Sequence, residues 1–157
     1  EMLARARAKL SGIEGILFER ADFMDSHTPA GAELIIAVRS FEYFEDKAAA
    51  LAKMRSLLAP GGRIVIITKN PRLFTSTPAQ GKRLHSGQVT PEELARLCTD
   101  ADLAVLARFP AVVRWKAKYP PARFFFESFQ RIALATHGRI KAPTYAVESY
   151  AYIIAHA

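Results

Sequence analysis

The stretch LLAPGGRIVIITKNP, residues 57–71, constrains the fold more than any other part of the chain. Leu57-Leu58 close a helical pattern, Pro60-Gly61-Gly62 make a tight turn, and Arg63 to Thr68 form a strand, β-branched from Ile64 on, that stops at Thr68-Lys69-Asn70-Pro71. An apolar strand without polar alternation is covered on both faces, which is the environment of a sheet layered between helices. A second such run, Leu34 to Val38, is too continuous to be half exposed and is expected to lie centrally in a parallel sheet.

The surrounding segments supply the helices. Met2, Leu3, Ala6 and Leu10 fall at helical spacing and Ser11-Gly12 ends that helix. Asp46 to Leu58 is amphipathic, with Ala50, Leu51, Met54, Leu57 and Leu58 on one side. Thr90-Pro91-Glu92-Glu93 joins an N-cap Thr, a Pro at the first helical position and a Glu three residues after the cap, opening a helix to about Asp100. Pro121 to about Thr136 predicts a further helix, because Phe125, Phe129 and Ile132 share a side. Ile16-Leu17-Phe18, Leu103 to Phe109 and Ser149 to Ala155 complete the strands. Alternating strands and helices give an α/β fold with a largely parallel sheet.

At 157 residues and 50% hydrophobic composition, one domain and one core are expected. The lone Cys98 excludes an internal disulfide, and no apolar run reaches the roughly 18 residues of a membrane span. No signal peptide is apparent, so a cytoplasmic location is expected. The four His and Cys98 show no ligand spacing, so no metal is expected. No nucleophile elbow is present.

The net charge of +7 is concentrated in one place. Residues 108–141 carry eight basic side chains against the single acid Glu127, together with seven of the sixteen aromatics. Such interleaving either faces an anionic partner or combines core rings with a solvated charged face.

In an open parallel sheet, ligands bind beyond the carboxyl ends of the strands. The residues just past each strand are Asp22 and Phe23; Arg39, Ser40, Glu42 and Tyr43; and Thr68, Lys69 and Asn70. They are the first candidates for a site.

Ala32 to Asn70, AELIIAVRSFEYFEDKAAALAKMRSLLAPGGRIVIITKN, resembles the central strand, helix and next strand of class I S-adenosylmethionine-dependent methyltransferases. The likeness rests on Arg55, Leu58, Pro60, Gly61 and Gly62, on Ile16 to Asp25 as a preceding strand, and on Val89 to Pro110 as a later helix and strand. The order and spacing of these pieces are more specific than P-G-G alone. The family often has Asp where Glu33 stands and His where Tyr43 stands. A Tyr keeps the ring but is no base near neutral pH, since its unperturbed pKa is about 10.

The resemblance implies a Rossmann-like sheet of order 3-2-1-4-5-7-6 and S-adenosylmethionine as cofactor. It implies that Asp22 holds the adenine amino group, that Phe23 lends a backbone amide, and that Arg39 and Ser40 lie beside the methionine tail. Tyr43 or Phe41 would offer a ring to the sulfonium. Lys69 and His85 would lie on the acceptor side, with Tyr43 and His85 as the catalytic candidates and His85 the general base by type. The alternative readings are a Tyr43 ring packed under the next helix and, favoured over the base, a His85 without a role on a surface loop.

The family's glycine-rich loop has no counterpart, since none of the eight glycines forms G-x-G. The expectation is therefore a partial domain over residues 1–157 that lacks the first two strands, a segment of roughly 40 to 60 residues. Residues 110–147 would form an acceptor-binding insertion between the last two strands. The implied activity of the intact protein is methyl transfer to a small-molecule or lipid-linked, anionic or amphiphilic acceptor, with RNA less favoured. The rivals are a non-catalytic interaction module, which would self-associate into a homo-oligomer through its strand edges, and a nucleotide-binding dehydrogenase, which P-G-G disfavours.

Overall fold

A computed structural model of the 157-residue chain describes residues 1–72, 87–113 and 147–157. Helix α1 (Met2–Lys9) is followed by β1 (Ala32–Val38), a 3-10 turn (Phe41–Tyr43), α2 (Lys47–Leu57), β2 (Leu58–Lys69), α3 (Pro91–Asp100), β3 (Leu103–Val113) and β4 (Val147–His156). The strands form one sheet in the order β1-β2-β4-β3. Among the described residues, no helix is long and apolar enough to cross a membrane.

The two internal helices begin as the sequence predicts. The Asp46 carboxylate accepts the Ala49 N–H at 2.8 Å and caps α2. Thr90 Oγ1 accepts the Glu93 N–H at 3.1 Å while Glu93 Oε2 accepts the Thr90 N–H at 2.7 Å, closing the capping box of α3. Such reciprocal caps satisfy amides that have no partner within the helix. Leu51 and Met54 of α2 and Leu94 and Cys98 of α3 then bury one sheet face, together with Ala37, Ile64, Ile66, Tyr152 and Ile154 of the strands.

Pro60-Gly61-Gly62 lies inside β2, which follows directly on α2, and coincides with an irregularity in its pairing with β1. Gly61 has φ +79°, a left-handed conformation that costs a side chain dearly. A Cβ on Gly62 would lie 2.8 Å from the Ala32 carbonyl oxygen and 3.0 Å from that of Ala59, so the backbone approach itself requires glycine. Pairing steps from Ala32 opposite Leu58 directly to Leu34 opposite Arg63, and continues in parallel to Val38 opposite Ile67.

Three expectations change. The sheet is mixed: β1 and β2 run parallel, whereas β4 pairs antiparallel with both β2 and β3. The α3 crossover leaves β3 parallel to β2 with a gap one strand wide, which β4 fills from the opposite direction. This arrangement is the 4-5-7-6 part of the order that the resemblance implies.

Second, β1 is at the edge of the described sheet. Leu34, Ile36 and Val38, on the face away from α2 and α3, are 52%, 58% and 57% exposed. Third, Ile16-Leu17-Phe18 is not a strand, and Leu17 is 90% exposed. A strand is stable only where its amides find a neighbour, and this segment pairs with none of the strands of the described sheet. The helix expected at 121–136 and most of the insertion expected at 110–147 lie outside the described residues.

Candidate functional site

The site is built at the carboxyl ends of β1 and β2. The Arg39 N–H donates to the Ile67 carbonyl at 2.8 Å, and the chain then leaves the sheet through a left-handed residue, Arg39 at φ +57°. This turn feeds the 3-10 segment, in which Phe41 is driven wholly into the core with its edge toward the Phe44 ring at 6.1 Å. Anchoring Phe41 leaves Tyr43 on the surface, 65% exposed.

Between them, Glu42 turns inward. Its carboxylate is 3% exposed and ties the ends of β1 and β2 together. One oxygen accepts from Arg39 Nε at 3.4 Å; the other accepts from Thr68 Oγ1 at 3.1 Å and the Lys69 N–H at 3.3 Å. Arg39 also donates to Ser149 Oγ at 3.3 Å, which brings in β4. Asn70 completes the arrangement, since its amide donates to the Val147 carbonyl at 2.9 Å. The polar cluster that ends β2 is thus internal structure, with a buried charge that is both paired and hydrogen-bonded, as burial demands.

The loop of residues 22–26 packs onto α2 beside these ends. Asp22 accepts the Met24 N–H on Oδ1 at 2.8 Å and the Ser26 N–H on its carbonyl at 2.9 Å, an Asx-type turn. Lys53 of α2 fastens the loop from below. Its ammonium donates to the Met24 and Ser26 carbonyls, each at 2.8 Å, and sits 5.2 Å from the centre of the Phe23 ring. Phe23 in turn contacts Phe44 at 5.6 Å between centroids.

A pocket of about 350 Å³ lies between this loop and the 3-10 segment, lined by Asp22, Met24, Tyr43, Phe44, Glu45 and Asp46. Three carboxylates and a phenol ring give it a negative potential suited to hydrogen-bond donors and cations.

Of the residues singled out in the sequence, Asp22 and Tyr43 line this pocket together. Phe23 supports it as a packing ring, and Ser40 accepts the Tyr43 N–H on its carbonyl at 3.0 Å. Arg39 is directed to Glu42 and Ser149. Phe41 has no accessible ring face, which corrects its expected place against a cofactor. His85 lies outside the described residues. Lys53, Glu45 and Asp46 were not anticipated as parts of a site; the spacing of Lys53 marks only a helix surface, and its partners come from a loop 27 to 29 residues earlier.

Residues 2–117 match the family model described as a methyltransferase domain. The chain belongs to this methyltransferase family. No curated protein sequence matches it significantly. Solved structures share the fold. They include the CcbJ methyltransferase from Streptomyces caelestis, at 12% identity and a TM-score of 0.64 over 99% of this chain and 75% of that one. An S-adenosylmethionine-dependent methyltransferase from Mesorhizobium loti gives 20% identity and 0.60 over 99% and 76%. Mitomycin 7-O-methyltransferase MmcR gives 16% identity and 0.60 over 99% of this chain but 39% of its own length. At such identities the likeness shows the fold, an incomplete Rossmann-like sheet.

Proposed function

We propose that this domain, in its intact protein, transfers a methyl group from S-adenosylmethionine to a small-molecule or lipid-linked acceptor. The observation that carries the reading is the acid-rich pocket between Asp22 and Tyr43, in a chain of the methyltransferase family. The cofactor supplies an activated methyl on a sulfonium, and the pocket residues suit its cationic and hydrogen-bond-donating parts. The second oxygen of Asp22 suits an adenine amino group, and the carboxylates with the Tyr43 ring favour positive charge nearby. Methyl transfer asks little more of a protein than alignment and electrostatic matching. Arg39, bonded to the Glu42 carboxylate, serves here to fix the strand ends instead of reaching the cofactor's carboxylate. His85 as general base, Lys69 on the acceptor side, and the basic aromatic segment within 110–147 as acceptor contact are further parts of the proposal.

Calorimetric titration of S-adenosylhomocysteine into this chain, and into a form extended upstream, tests it. Binding to either form that Asp22→Asn and Tyr43→Ala each weaken by about tenfold supports the assignment. Absence of binding to both, with melting curves that show folded protein, refutes it and favours an interaction module. That second reading has the exposed apolar face of β1 in its favour.

A further inference from the structure

The pocket lined by Asp22 and Tyr43 has two walls of unequal construction. The 3-10 wall is anchored in the core by the wholly buried Phe41 and by the enclosed carboxylate of Glu42. The opposite wall, residues 22–26, belongs to a stretch between Lys9 and Ala32 without helix or strand, so no backbone ladder holds it.

The tie that replaces a ladder is Lys53. Met24 donates its N–H to Asp22 Oδ1 at 2.8 Å, and Ser26 donates its N–H to the Asp22 carbonyl at 2.9 Å. The carbonyls of the same two residues both accept from the Lys53 ammonium, each at 2.8 Å. Phe23 adds its ring, 5.2 Å from that ammonium, and a carbonyl that accepts from Ser26 Oγ at 2.8 Å. Charge-assisted hydrogen bonds of this length and a cation near a ring are stronger than neutral contacts. Lys53 stands on α2, where Leu51, Met54 and Leu57 are buried and the N-cap, Asp46, lines the same pocket. One lysine therefore sets the loop that carries Asp22 against the rigid element that bears the far wall.

We propose that Lys53 is a positioning residue that holds Asp22 toward the ring amine of a purine and so makes the pocket select adenine over hypoxanthine. The proposal rests on the methyl-transfer reading above, which assigns Asp22 to the adenine of the cofactor. Asp22 is exposed, and an exposed carboxylate on a loose loop turns to water and tolerates either ring. Held in place, it accepts a hydrogen bond from the amine of adenine but meets the carbonyl of hypoxanthine acceptor to acceptor. When the loop adopts the binding shape only part of the time, affinity falls with that fraction.

Calorimetric titration of S-adenosylhomocysteine and of its deaminated analogue, S-inosylhomocysteine, tests this on whichever of the chain and its upstream-extended form binds. Wild type is expected to favour the adenosyl ligand about tenfold. Lys53→Met keeps the apolar stem and loses the ammonium. It should lower the preference to about twofold or less, mainly by weakening the adenosyl ligand. Amide hydrogen exchange at residues 23–26 should quicken about fivefold or more while α2 and α3 keep their protection, because Lys53 is not part of the buried core. A preference unchanged by Lys53→Met overturns the proposal and leaves the methyl-transfer reading intact. An equal loss of both ligands, the mark of a merely structural role, does the same, as does a wild type that binds both alike. A wild type that binds neither overturns the methyl-transfer reading and this proposal together. If Lys53→Met does not fold, Lys53→Gln, too short to span the two carbonyls, decides by the same comparison.

Discussion

Cys98 shows how far one residue's environment departs from what its identity announces. As a lone cysteine it is uninformative in sequence, but in α3 it is fully buried against the sheet. Burial pushes its thiol up to about 11 from an ordinary 9.0. Tyr152, also buried, is displaced in the same direction. A group whose proton is held more tightly in the folded state stabilises nothing extra at low pH and becomes a liability once the unfolded chain can release that proton. The urea midpoint is therefore expected to stay level up to about pH 9 and to fall toward pH 11. Cys98→Ala should reduce that fall, whatever it costs at neutral pH, and an alkaline slope unaltered by the substitution would contradict the argument. Glu42 carries the complementary lesson. Its position after a strand marks it as a candidate site residue, yet its carboxylate proves to be enclosed by Arg39, Thr68 and Lys69. Nothing in the spacing distinguishes a carboxylate that faces a ligand from one that faces the ends of two strands. Asp22 and Tyr43 instead stay at the surface and line one pocket.

Elements whose signals are local read well from sequence. The capping box of α3 and the apolar sides of α2 and α3 depend on residues three or four apart, and the structure keeps them, whereas α1 buries no residue. The Pro60-Gly61-Gly62 turn belongs with these, but for two distinct reasons that composition does not separate. Gly61 answers to its own φ, whereas Gly62 answers to the Ala32 carbonyl of another strand. Gly62→Ala should accordingly be the worse of the two substitutions. Its methyl has to displace strand backbone at 2.8 Å, at a cost of about 1–3 kcal/mol, against about 1–2 kcal/mol for Gly61→Ala. Urea unfolding monitored by circular dichroism measures both, and equal losses would mean that β1 yields freely at the turn. The failures of prediction at this scale are the non-local ones. Ile16-Leu17-Phe18 has the composition of a strand, yet it pairs with no strand of the described sheet, and pairing is not written in local composition.

At the scale of the whole molecule, one sheet face is covered by α2 and α3, and the other is open over β1. The periodic run Leu34 to Val38 reads correctly as a strand built for burial on both sides, but the described structure buries only one. Leu34, Ile36 and Val38 form a stripe, flanked across the β1–β2 pair by Val65 and Ile67, which are half-buried. The Arg39 N–H points to β2, so the alternation of a strand turns the amides of Leu34, Ile36 and Val38 toward the outer edge. Apolar side chains and outward amides at the same three residues are the combination that soluble edge strands avoid, commonly by placing a lysine there. The 157-residue chain is therefore expected to associate with rising concentration in sedimentation velocity and to bind a hydrophobic dye. Ile36→Lys should shift it to monomer without loss of melting temperature, because Ile36 is 58% exposed and contributes little to the core. An Ala37→Lys control, at a buried position on the opposite side of the same strand, should instead unfold the chain. If Ile36→Lys leaves the association unchanged, contacts through β1 do not drive it. If the wild-type chain is monomeric at every concentration and binds no dye, the stripe is covered in solution.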